Sequence, residues 1–72
     1  MFIEVTNNDG EKLHLVASKI AVVEKSHYTN NIKGSTIWFE DCHTIWMVQE
    51  EPEEVKLKIK NAILEFEREK RQ

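Results

Sequence analysis

The chain has 72 residues, with 13 acidic and 10 basic side chains for a net charge of −3, and a single cysteine. That length supports one domain with a small core and excludes two. The lone cysteine excludes an intramolecular disulfide and points to a reducing compartment, while the negative balance removes the global positive field that would draw in a polyanion.

Phe2–Thr6 is a first strand, followed by Asn7-Asn8-Asp9-Gly10, whose residues tolerate the positive φ of a tight reversal. Lys12–Val16 returns as a second strand, with Leu13 and Leu15 on one face by the two-residue period. Ala17-Ser18-Lys19 has weak strand propensity and marks a bend before Ile20–Glu24, a third strand rich in β-branched side chains. Residues 27–35, HYTNNIKGS, read as the longest loop.

Thr36–Glu40 and Thr44–Gln49 form a last hairpin. A three-residue loop, Asp41-Cys42-His43, is the expected connection. It pairs Phe39 with Ile45, Trp38 with Trp46 and Ile37 with Met47, so that both tryptophans share one face and the aliphatic residues and Phe39 the other. Histidine enters the left-handed backbone at such a loop's last position more readily than most residues, and Asp41 caps the turn. On this reading Cys42-His43 is a hairpin tip and not a nucleophile with its base, since adjacent residues at a strand end diverge.

Pro52 suits the first position of a helix, Glu53 and Glu54 complement its positive end, and Arg68, Lys70 and Arg71 its negative end. At 100° per residue Val55, Ile59, Ala62, Ile63 and Phe66 fall on one stripe, expected to lie on the sheet. Leu57 and Leu64, seven residues apart, project from the opposite side, where a solitary surface helix carries polar groups.

The expected architecture is therefore α+β within a single domain, 1–72. Residues 1–50 form a small antiparallel meander of four or five strands, flat or curled toward a barrel, and residues 51–70 a C-terminal helix packed on one face. One helix covers one face, so the Trp38/Trp46 face and the Leu57/Leu64 line need either barrel closure or another chain. Together with the marginal core of so short a chain, they favour a homo-oligomer, with a foreign protein partner as the other way of covering them. The interaction residues expected on this reading are Trp38, Trp46, Leu57 and Leu64.

No metal, cofactor or catalytic residues are expected. His14, His27, Cys42 and His43 lack zinc-ligand spacing, and Glu50, Glu51, Glu53 and Glu54 lack the alternation of a calcium loop. Nucleic acid is a competing class, disfavoured by charge, with Lys12, Lys19, Lys25, Lys33 and Tyr28 as its available contacts. A small-ligand site shared between subunits is a further alternative. No apolar run approaches the roughly 20 residues that cross a bilayer, and Met1-Phe2-Ile3-Glu4-Val5 lacks a signal-peptide pattern, so no membrane partner and a cytoplasmic location are expected.

The succession of a strand, NNDG, a strand, SKIAVVE, a loop, TIWFEDC and HTIWMVQEEPEEVKLKI resembles small bacterial and phage-type proteins related to the flagellar-operon FlbD (swarming motility) family. It departs from that pattern at Cys42, where a turn glycine is usual. The resemblance implies a compact β-sheet protein with a terminal helix and a non-enzymatic accessory or regulatory role, and it carries over no site residues.

Overall fold

The computed structural model describes residues 1–26 and 34–70, with backbone alone at Cys42 and His43. Of the loop expected at 27–35, residues 27–33, with Tyr28 and Lys33, lie outside the described residues, as do the Cys42-His43 side chains and Arg71, while Ser35 already belongs to a strand.

Among the described residues five strands and one helix form in chain order: β1 Phe2–Thr6, β2 Lys12–Val16, β3 Ile20–Lys25, β4 Ser35–Phe39, β5 Cys42–Val48 and α1 Pro52–Lys70, with one turn of 3-10 helix at Ala17–Lys19 between β2 and β3. The fold is α+β and antiparallel throughout. The strands divide into a two-stranded sheet, β1-β2, and a three-stranded sheet, β3-β4-β5. The sheets meet where Asn7 bridges Val48 and the Gln49 amide donates to the Thr6 carbonyl at 2.7 Å. Among the described residues no ladder joins β2 to β3, so no barrel closes.

The first hairpin follows its turn chemistry. Asn7 Oδ1 accepts from the amides of Asp9 and Glu11 at 2.9 Å, and Gly10 supplies a φ of +86°. Ile3 and Val5 on β1 then share an inner face with Leu13 and Leu15 on β2.

The last hairpin departs from expectation. The connection is a two-residue turn, Glu40-Asp41, closed by Phe39 opposite Cys42, and β5 carries His43 and Thr44 as a bulge before Ile45 pairs with Trp38. Beyond the bulge Trp46 faces Ile37, Met47 faces Thr36 and Val48 faces Ser35. Relative to the expected pairing this is a one-residue slip, and it moves Val48 into the core in place of Met47. Two contacts account for it. Gly34 packs directly against the Val48 carbonyl, an approach that any Cβ would block, and Val48 itself holds the bridge to β1. A second bulge, at Ala21, offsets β3 from β4.

The core consists of Ile3, Val5, Leu15, Ala17, Ile37, Val48 and Val55, with Met1, Leu13, Ile20, Val23, Phe39, Ile59 and Ala62 packed against it. The helix lies across β1, β3 and the 3-10 turn, and Lys58 Nζ donates to the Glu4 carbonyl at 2.7 Å. Its expected core stripe is realised only in part. Val55 is buried, Ile59 and Ala62 are half-buried, and Ile63 and Phe66 are exposed.

Candidate interaction surfaces

The slip in β5 separates the two tryptophans. Residues directly opposite one another share a face, so Trp38 stands on the outer face of the three-stranded sheet with Val22 and Ile45, and Trp46 stands on the same face as the buried Ile37. The expected shared Trp38/Trp46 surface is therefore not formed, and Ile45 and Met47 are not core partners of Ile37 and Phe39. Both tryptophans nonetheless remain accessible, Trp38 at 38% and Trp46 at 39%. Trp38 is held by its indole N–H, which donates to Glu24 Oε1 at 2.9 Å.

On the helix the expected line of leucines stands out from the sheet, with Leu57 55% and Leu64 48% exposed. Ile63 and Phe66 join Leu64 to wrap the last turns in apolar side chains, and Lys70 Nζ sits 4.7 Å from the Phe66 ring centroid, at cation–π distance. Phe66, Ala62, Met1 and Phe2 line a small groove rimmed by Glu65 and Glu69. Sequence reasoning missed Phe2, Val22, Ile63 and Phe66 as accessible surface. Only the lengths carried a signal: α1 has 19 residues, about 28 Å at 1.5 Å per residue, against strands of five to seven residues.

The lysines expected for a nucleic-acid surface are engaged locally in two cases. Lys12 Nζ donates to Thr6 Oγ1 at 2.9 Å, and Lys19 pairs with Asp41 at 3.2 Å. Among the described residues, His14 lies 3.8 Å from Glu4, and no group of three or more histidine, cysteine or acidic side chains is placed to hold a metal ion. No helix of the described residues is long and apolar enough to cross a membrane.

No family model, no curated protein and no solved structure matches the chain.

Proposed function

We propose that the protein is a small non-enzymatic interaction or regulatory module that works by self-association through the outward face of α1. The observation that carries this reading is the Leu57/Leu64 line, half exposed on the side away from the sheet and continuous with Ile63 at the helix end. Burying what remains exposed of each leucine contributes about 1 kcal/mol, so two leucines from each of two chains supply about 4 kcal/mol. That only meets the lower end of what association costs. Ile63, which flanks the line, must add to it, and the assembly is expected to be concentration-dependent. Trp38, on the opposite side of the molecule, is the second anchor available to a larger ring or to a foreign partner.

Size exclusion coupled to light scattering, run over a hundredfold range of concentration, tests the proposal. The native chain should rise from 8.5 kDa, the mass of one chain, toward twice that value. The Leu57→Ser/Leu64→Ser double variant should stay at one chain, and Trp38→Ala should behave as native. A native chain that remains at one-chain mass throughout would remove self-association as its mode of action.

A further inference from the structure

The free edge of β2 has a defined hydrogen-bonding phase. The Ala17 amide donates to the Met1 carbonyl and the Asn7 amide to the Glu11 carbonyl, so the odd-numbered pairs of the β1-β2 ladder are its hydrogen-bonded pairs. Alternation in an antiparallel ladder then turns the N–H and C=O of Lys12 and His14, and the N–H of Val16, away from β1, while the Val16 carbonyl, at the N-cap of the 3-10 turn, belongs to that turn. The other strand agrees: the Thr6 amide and carbonyl are taken by Glu50 and Gln49 and the Glu4 carbonyl by Lys58, all on the side away from β2. Among the described residues nothing pairs with β2 beyond β1. Alongside that edge lies an open depression of about 390 Å³, lined by His14, Leu15, Val16, Lys19, Phe39 and Asp41.

We propose that this edge is a docking site for an extended peptide of a partner protein, which adds to β2 as an antiparallel strand and places one large apolar side chain in the depression over Leu15 and Phe39. The charges along the edge select the peptide. Lys19 is matched by Asp41 and His14 by Glu4, whereas among the described residues Lys12 has no carboxylate partner, and so it favours an acidic residue opposite itself. At the other end Val16 pairs with the largely exposed Phe2, which favours an aliphatic residue. The inward position between them, opposite Leu15, takes the large apolar side chain. Main-chain bonds at three alternate residues supply affinity, and the alternating side chains supply selectivity. This surface is separate from the outward face of α1 and does not depend on self-association.

The probe is acetyl-Val-Phe-Thr-Val-Glu-amide, titrated into ¹⁵N-labelled protein carrying Leu57→Ser/Leu64→Ser, so that failure of the helix-mediated assembly leaves this test intact. Binding should shift the Lys12, His14 and Val16 amides and slow their exchange. Val16→Pro removes one outward donor without touching the β1 ladder, and the backbone already suits it, since Val16 has φ −75°. It should weaken binding by about tenfold. As a second variant, Lys12→Glu should reverse the preference between this probe and its counterpart ending in lysine. Equal binding to Val16→Pro, an unchanged preference in Lys12→Glu, or shifts confined to α1 would overturn the proposal. So would concentration-dependent protection of the His14 and Val16 amides without peptide, which would assign the edge to a second copy.

Discussion

Gly34→Ala should be far more damaging than Gly10→Ala, although both glycines have positive φ, +148° and +86°. An alanine at position 10 meets nothing within 4 Å, so its cost is the backbone penalty alone, about 1 kcal/mol. At position 34 the methyl group would overlap the Val48 carbonyl oxygen and stand 3.0 Å from the Val48 carbonyl carbon and 3.1 Å from that of Gln49. These are backbone atoms and they cannot swing aside. The Gly34 carbonyl accepts from the Ser26 amide at 3.0 Å, Ser35 Oγ donates to the Glu50 carbonyl at 2.7 Å, and Val48 bridges Asn7. Relief therefore requires β4 and β5 to part where the two sheets join. Overpacking of this kind adds about 1–3 kcal/mol to the backbone term, for a total of about 2–4 kcal/mol. A chain of this length has roughly 4–11 kcal/mol of stability in all. Urea unfolding followed by tryptophan fluorescence, with a slope of about 1 kcal/mol per molar, should show the midpoint falling by about 2–4 M for Gly34→Ala and about 1 M for Gly10→Ala. Equal shifts would refute the close approach of Gly34 to Val48, and with it the explanation of the β5 register.

Val55→Ala removes a fully buried side chain at the centre of the core and should cost roughly 2 kcal/mol. Leu57→Ala, on the opposite side of the same helix, should change one-chain stability by less than about 0.5 kcal/mol, with both read from urea midpoints at low concentration. Glu50→Ala deprives the Thr6 amide of its acceptor at 2.9 Å and should cost about 1 kcal/mol, whereas Glu50→Gln keeps an acceptor oxygen and should recover most of it. Equal losses would mean that Glu50 acts by charge and not by capping that amide. Trp38→Phe removes the indole donor to Glu24 at an exposed site and should cost under about 1 kcal/mol, measured by the same unfolding curve.

The elements were legible wherever a local signal controlled them. Asn7 and Gly10 specified the first turn, Pro52 with two glutamates opened the helix, and β-branched runs marked β1 and β3. The faces of the last hairpin were not legible, because Ile45, Trp46, Met47 and Val48 make β5 apolar on both sides and either register buries something suitable. What decides between them lies outside the hairpin: a glycine ahead of β4 and a residue pair bridging two sheets. Cys42 and His43, expected as the hairpin tip, belong instead to β5: the turn is Glu40-Asp41, and His43 and Thr44 are absorbed as a bulge. The free edge of β2 is invisible to a reading of residue patterns, since whether a strand has one neighbour or two depends on the path of the whole chain.

The leucines and the tryptophans emerge on different terms. The exposure of Leu57 follows from periodicity alone, because no rotation of α1 buries Val55, Ile59 and Ala62 while also turning position 57 inward. The exposure of Ile63 and Phe66 has another cause. They continue the buried stripe, but a helix of 19 residues outruns the strands it covers, at most about 20 Å for the six residues of β3. A stripe that stays apolar beyond its own sheet is left as contiguous exposed apolar area, which promotes association. Ile63 and Phe66 thus form an apolar patch distinct from the Leu57/Leu64 line, with Ile63 at its flank and Phe66 on the far side of α1, over the groove it shares with Met1 and Phe2.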